Sequence, residues 1–250
     1  MSEQEQTAAS ALPWEPPAPQ LIRNARMMII AYAADKEAIA QVLPPGLQAS
    51  PNGIVQMNMY EVGEGQTSGF GPFSLTYLTV EVEGRDSDLA NGVMQIPGRY
   101  FVHYWNSSPR VRNYVREKVG AKAMPGARRI ETQGDNQVSI LQVEGRDVIR
   151  ATVRATERPA GTLGGHLNYY ARRSVPKADG NGYALDELIE FPLPFVADAY
   201  EASVERIEFD FPEGHPAQRL KPLDASKASG VLYADVTFTY SMGRVIGQLG

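Results

Sequence analysis

The 250-residue sequence predicts a mostly β protein of the α+β class, with a large antiparallel sheet curled into a cone-like barrel and a few short helices. Three observations favour this fold. Many short segments alternate apolar and polar residues, turn residues separate them, and only two stretches carry helical periodicity. No internal repeat is visible. A sheet with this many strands is expected to close because closure removes exposed edges.

The first ordered elements are a strand at residues 27–33 and a short helix. Asp35 is the expected N-cap of that helix, which ends near Val42 because two prolines follow Leu43. Further strands are predicted at residues 54–60, 75–82, 98–105, 138–143, 147–156, 167–175, 184–191, 204–211 and 230–240.

Two irregularities are predicted within this β pattern. Glu144, Gly145 and Arg146 form a hairpin signal with glycine in the turn. The alternation near the C-terminal third slips by one residue at Glu205 and Arg206, which is typical of a β-bulge.

The second helix is predicted with Ser108 as N-cap and Pro109 at its first position, where a missing N–H costs nothing. Gly120 is the expected residue after its end. An apolar stripe follows the helical spacing at Val111, Tyr114, Val115 and Val119. Alternation on the preceding strand puts His103 and Trp105 on one side and Tyr104 on the other, with His103 in the core.

Composition limits the function classes. A net charge of −5 with no basic block argues against nucleic acid or an anionic membrane as partner. Without cysteine, a disulfide framework and a thiolate nucleophile are excluded, and three scattered histidines predict no metal site. Residues 1–20 are polar and proline-rich, so we predict a flexible arm there and a single domain over 21–250. Lacking a signal-peptide pattern, the chain is predicted to be cytoplasmic.

Lys122 lies in an uncharged stretch, VGAKAMPGA, directly after the second helix. If neighbouring apolar residues desolvate its amine, the lysine pKa falls, as an amine nucleophile requires. The alternative is a solvated lysine that interacts with the C-terminal helix dipole, which favours the ammonium form. The residues leave both interpretations open.

Several segments together resemble the acetoacetate decarboxylase-like superfamily over roughly residues 22–245. They are YAADKEAIAQVLPPGL from Tyr32, TSGFG from Thr67, the thirteen-residue spacing from Pro109 to Lys122, Asn168-Tyr169, the stretch from Leu185 to Ile189, and the last strand. The resemblance implies that Lys122 forms a Schiff base with a ketone substrate. It also implies a homo-oligomer, with a tetramer favoured.

The sequence departs from the decarboxylases at charged positions. Ala123 stands where a second lysine is expected. By spacing, a strand arginine and two glutamates of the family fall at Ala25, Asn58 and Leu75. Members that resemble this variant act on pyruvate-type substrates as aldolase-dehydratases or hydratases.

The expected function is therefore a lyase reaction on a 2-oxo acid, with or without an aldehyde, through a Lys122 imine and enamine. Tyr77 and Tyr240 are the predicted proton carriers. The expected substrate-binding residues are Lys118, Arg116, Glu117 and Arg26, and no cofactor is expected. Two alternatives stay open: decarboxylation of a β-keto acid, and a non-catalytic barrel that binds a small molecule.

Overall fold

A computed structural model describes residues 16–89 and 92–249. Eleven strands and two short α-helices account for most of this part of the chain. They are β1 (Gln20–Ala33), α1 (Lys36–Val42), β2 (Ile54–Val62), β3 (Phe73–Leu89), β4 (Met94–Asn106), α2 (Pro109–Tyr114), β5 (Ala123–Pro125), β6 (Ala127–Gln133), β7 (Asn136–Val143), β8 (Arg146–Pro176), β9 (Tyr183–Phe209), β10 (Gly230–Tyr240) and β11 (Arg244–Gln248). The predicted mostly β class is confirmed. The predicted arm falls largely outside the described residues.

Seven strands form a closed circuit in the order β10–β1–β2–β3–β4–β8–β9, because β9 pairs with both β8 and β10. The pairs are antiparallel except for short parallel contacts of β4 with β8 and with β5. A closed circuit leaves each member paired on both sides and creates an interior. The predicted barrel-like sheet is thus confirmed.

The apolar core has two parts on opposite faces of this circuit. An inner cluster collects inward residues of every circuit strand together with α2. An outer cluster lies between the sheet, α1 and β7, and contains a stack of Trp105 on Phe211 with ring centroids 5.6 Å apart. His103 is buried against Trp105 on this outer side, whereas Tyr104 belongs to the inner cluster. The predicted opposite orientation of these neighbours is confirmed.

The predicted local signals are found where the sequence places them. Asp35 caps α1 by accepting from the Ala38 amide at 2.8 Å, and Ser108 caps α2. Glu144 and Gly145 both have positive φ in the β7–β8 turn. The β8–β9 register skips Glu205, since Thr152 pairs with Arg206 and Val153 with Val204. What the sequence underestimates is strand length: residues 147–156 and 167–175 belong to one strand, and so do 184–191 and 204–209.

The chain leaves α2 through a π-helical turn over Val115–Val119. The Gly120 amide closes this turn by donating to the Val115 carbonyl at 2.9 Å, five residues back. Gly120 has φ +84°, a conformation in which a side chain would be strained, and a Cβ would lie 3.0 Å from Ile189. Glycine is therefore required here, and it redirects the chain toward β5.

Candidate functional site: an interior tyrosine cavity

The closed circuit surrounds a cavity of about 490 Å³. Every circuit strand contributes to its wall. The lining residues are Met27, Ile29, Ala31, Gln56, Asn58, Tyr60, Tyr77, Leu89, Met94, Ile96, Arg99, Leu163, Leu167, Tyr169, Leu193, Phe195, Gly230, Val231, Leu232, Val236 and Phe238. A largely apolar wall with a few polar groups is the usual composition of a small-molecule site.

Hydroxyl groups of five buried tyrosines meet at one side of this interior. Tyr77 and Tyr169 share a hydrogen bond of 3.0 Å between their hydroxyl oxygens. The Tyr240 hydroxyl lies 2.8 Å from that of Tyr60 and 2.9 Å from that of Tyr104. The Tyr77 and Tyr104 rings are nearly parallel, with centroids 5.8 Å apart, which joins the two hydroxyl groups into one cluster. We call these five residues the tyrosine cluster.

Burial changes the acid–base behaviour of four tyrosines of the cluster. Desolvation raises the pKa of Tyr60, Tyr77 and Tyr104 well above the usual phenol value, and raises that of Tyr240 to about 12. At ordinary pH these side chains are neutral phenols. They donate hydrogen bonds, or relay a proton by accepting one as they donate another, but they are not free bases.

Arg99 is the one charged side chain in the described wall of the cavity. It is 7% exposed, and its Nε and Nη1 atoms have no hydrogen-bond partner among the described residues. Glu81 lies opposite it in the β3–β4 register but accepts from the Gln56 amide at 3.0 Å, and no ion pair within 4.0 Å joins it to Arg99. The Asn58 Oδ1 atom is equally buried and unpartnered. Buried polar groups are normally satisfied, so this pair is a candidate for the polar part of a ligand site.

Sequence reasoning missed Arg99 because of one irregularity. Simple alternation from the outward His103 would also turn Arg99 outward. The β3–β4 register changes between Leu78 and Thr79, which pair with His103 and Phe101 and leave Val102 as an extra residue. This bulge reverses the orientation, so Phe101 and Arg99 lie inside while His103 lies outside. The sequence signal that could have identified Arg99 is an isolated arginine within an otherwise mostly apolar strand.

Lys122 is exposed, which favours the interpretation of a solvated lysine over that of a desolvated amine. Its neighbours Ala121 and Ala123 are 3% and 1% exposed and belong to the inner cluster, whereas Lys122 borders a surface pocket of about 270 Å³ with Arg172. The chain is extended after Gly120, and alternation turns the lysine away from the interior. All six lysines of the chain are described, and none of them lines the cavity.

Arg26 does not serve as an inward carboxylate anchor. Its guanidinium forms a bidentate ion pair with Asp235, at 2.5 and 2.9 Å, and lies over the Tyr200 ring at 4.7 Å. These contacts are on the outer side of β1 and already neutralise the arginine. The expectation that Arg26 contacts a substrate in the barrel is therefore not supported by its position.

The three charged residues at the end of the second helix also lie outside the cavity. Arg116 is exposed and donates to the Ala123 carbonyl. Glu117 is exposed, and its carboxylate lies 3.9 Å from the Lys118 amine. Lys118 is half-buried, and its carbonyl accepts from the Gly243 amide at 2.7 Å. None of the three is among the described residues that line the cavity, so their positions do not support the expectation that they bind a substrate there.

Tyr77 and Tyr240, by contrast, lie in the interior as expected. So do all three positions at which the resemblance expects charged residues. Ala25 and Leu75 are fully buried in the inner cluster, and Asn58 is in the cavity wall. The interior position of these residues supports the correspondence by which they were found, and all three carry neutral side chains.

None of the helices within residues 16–89 and 92–249 has the length and apolar character needed to cross a membrane. In the same part of the chain, no three acidic or histidine side chains gather as metal ligands would.

The described arrangement, a closed mostly β circuit around an interior site, is that of the acetoacetate decarboxylase fold. The family model for acetoacetate decarboxylase matches residues 4–247. The chain therefore belongs to the acetoacetate decarboxylase family. No curated protein matches it.

Solved structures agree on the fold at low sequence identity. An acetoacetate decarboxylase structure has a TM-score of 0.79 at 17% identity, covering 98% of this chain and 96% of the other. The acetoacetate decarboxylase of Legionella pneumophila has a TM-score of 0.75 at 18% sequence identity, covering 97% of this chain and 94% of the other. The enduracididine biosynthesis enzyme MppR, complexed with pyruvate, has a TM-score of 0.67 at 16% sequence identity, covering 98% of this chain and 96% of the other.

Proposed function

We propose that the chain is a lyase that adds water to, or removes it from, a 2-oxo acid bound in the interior cavity. The observation that carries this proposal is the buried hydroxyl pair of Tyr77 and Tyr169 in the cavity wall. MppR, a structural neighbour, has been solved with pyruvate and with a condensation product of pyruvate and an imidazole aldehyde. Those ligands indicate the substrate class without fixing the substrate.

The chemistry follows from neutral phenol donors. One hydroxyl of the pair donates to the C2 carbonyl oxygen of an unsaturated 2-oxo acid and accepts from the other hydroxyl, and this donation withdraws electrons from the conjugated double bond. Water then adds at C4, and the electron pair of the double bond moves toward the C2 oxygen. Water loses one proton in this step, and C3 takes up one proton, so the protons balance. The product is a 4-hydroxy-2-oxo acid, and the reverse sequence is dehydration. The phenol pair relays the proton, so no cofactor enters the balance.

Arg99 supports this placement of the substrate. Its charge acts on Tyr77, where it opposes the rise in pKa that desolvation and the neighbouring Tyr169 produce. Arg99 also pairs with Tyr169 in the β4–β8 register, and both line the cavity, so a carboxylate paired with the Arg99 guanidinium would lie on the side of the hydroxyl pair. Water exclusion by the apolar walls strengthens each of these interactions.

The Lys122 imine is the second candidate, and one observation favours it. Lys122 borders the same surface pocket as Arg172, a cation suited to a carboxylate. However, Arg172 is already paired with Asp186 through two contacts of 2.6 Å. An imine reaction there would also proceed in contact with solvent, where an amine is not activated by desolvation. The interior site is therefore the better-supported proposal.

The test is a substrate panel of unsaturated and 4-hydroxy 2-oxo acids, pyruvate with an aldehyde, and acetoacetate, with products followed by NMR. We expect hydration or dehydration by the native protein. Tyr77→Phe and Tyr169→Phe should each lower kcat at least tenfold, whereas Tyr183→Phe, an exposed control, should not. Acetone formation would instead support a decarboxylase, and an inactive panel with measurable binding would support a non-catalytic barrel. Either result overturns the proposal. Light scattering of the same sample tests the predicted tetramer.

A further inference from the structure

Arg99 occupies a particular place in the cavity. An open depression on the outside, bordered by Asn52 and Ser229, shares the walls formed by Gln56, Ile96 and Arg99 with the interior. The arginine therefore lies where the interior meets its surface opening. A cation held there, 7% exposed and with two nitrogens unpartnered among the described residues, will attract an anion that enters from outside.

The rest of the cavity wall indicates the polarity and size of the remaining part of the ligand. Beyond Arg99, Asn58, Gln56 and the tyrosines, the lining side chains are apolar. The volume of about 490 Å³ lies in the range of cavities that enclose ligands of drug-like size. Pyruvate and acetoacetate fill only a small part of such a space and leave its apolar walls without contacts.

We propose that the physiological ligand is a monocarboxylic acid with an apolar tail of about six or more carbon atoms, whose carboxylate pairs with Arg99 and whose tail lies on the walls of β1, β9 and β10. This inference rests on the interior site of the proposed function but concerns which acid enters it. The Asn58 side chain supplies a second polar contact beside the tail. Short polar oxo acids are then poor ligands.

The buried guanidinium of Arg99 is also expected to affect the stability of the protein without ligand. Burying the Nε and Nη1 atoms of Arg99 without hydrogen-bond partners costs folding free energy, so removing the guanidinium should stabilise the protein without ligand. Arg99→Met keeps a long apolar side chain in the wall and deletes the charge. We expect this variant to have a higher Tm than the native protein, and to lose the increase in Tm that the ligand gives.

The experiment is calorimetric titration of the full chain with octanoate, hexanoate, butyrate and 1-octanol. For the native protein, affinity should rise roughly fourfold for each added methylene. Arg99→Met should weaken octanoate at least thirtyfold and leave 1-octanol within threefold, whereas Arg154→Met, an exposed control, should change neither. The length series needs no variant, so it remains decisive if Arg99→Met does not fold.

Two results overturn the inference: affinity that does not grow with chain length, or octanoate binding that Arg99→Met leaves intact. Failure of the proposed function is distinguishable from both. If octanoate binds through Arg99 but no unsaturated 2-oxo acid is converted, the proposed ligand class is supported and the proposed reaction is contradicted. If short oxo acids are converted and octanoate does not bind, the reaction stands and the ligand class falls.

Discussion

The hydroxyl oxygens of Tyr77 and Tyr169 lie 3.0 Å apart, although 92 residues separate them along the chain. Tyr77 comes from β3 and Tyr169 from β8, on either side of β4. Their hydrogen bond therefore depends on closure of the circuit at the β4–β8 contact, where Arg99 pairs with Tyr169.

This dependence is testable by a double-mutant cycle. Tyr77→Phe and Tyr169→Phe should each lower the free energy of unfolding by about 1 kcal/mol, because each leaves the other buried hydroxyl without its partner. The double variant should cost less than the sum of the two by about 1 kcal/mol. Urea unfolding measures all three. Strictly additive losses would show that the two hydroxyl groups are not coupled.

Tyr240 has a different expected effect because its hydroxyl contacts two partners, at 2.8 and 2.9 Å. Tyr240→Phe leaves both Tyr60 and Tyr104 unsatisfied in the interior, so we expect a loss of about 2 kcal/mol in unfolding free energy. Tyr183→Phe, at an exposed position, should stay within about 0.5 kcal/mol of the native value. A Tyr240→Phe protein as stable as this control would contradict the hydroxyl network.

Acid should weaken the contact between β8 and β9. Hydrogen bonds from Arg172 hold the pKa of Asp186 below its usual value of 3.8. Since the folded pKa is lowered, the stabilisation is present above about pH 4 and is lost as pH falls through the folded value. Asp186→Asn should therefore be less stable than the native protein at pH 7, and the difference should shrink toward pH 3. Urea unfolding at each pH measures the stability difference between the two proteins. If that difference does not change with pH, the ion pair is not its source.

Gly98 determines how Arg99 enters the cavity wall. A Cβ at this position would lie 2.0 Å from the Arg85 carbonyl oxygen, a backbone atom that cannot move freely. Gly98→Ala should cost roughly 3 kcal/mol of unfolding free energy or prevent folding. Gly63→Ala is the matched control, because its added Cβ meets only the end of the Gln66 side chain at 3.4 Å. Equal thermal unfolding of the two variants would contradict this close approach.

The sequence predicts much of the scaffold because its signals are local. Asp35, Ser108 and Gly120 act through their own backbone neighbourhood, and the slip at Glu205 is visible as a break in alternation. The continuous 31-residue β8 was not predictable in this way. Its glycine-rich middle has the composition of a turn, and only pairing with β9 keeps that stretch extended.

The site was less predictable because orientation depends on single-residue irregularities. One extra residue at Val102 turns Arg99 inward, and one π-helical turn over Val115–Val119 ends the second helix earlier than its apolar stripe predicts. Neither irregularity has a strong local sequence signal. Tyr77 and Tyr240 were found because resemblance to the family supplied positions that the fold preserves.

The most direct test of an interior, lysine-independent site is reductive trapping. Native protein is incubated with pyruvate or with a converted 2-oxo acid, treated with borohydride, and mapped by peptide mass spectrometry, with Lys227 as an exposed reference lysine. We predict no more labelling at Lys122 than at Lys227, unchanged activity after treatment, and full activity in Lys122→Ala. Stoichiometric labelling of Lys122 with loss of activity would contradict the account and establish the imine route.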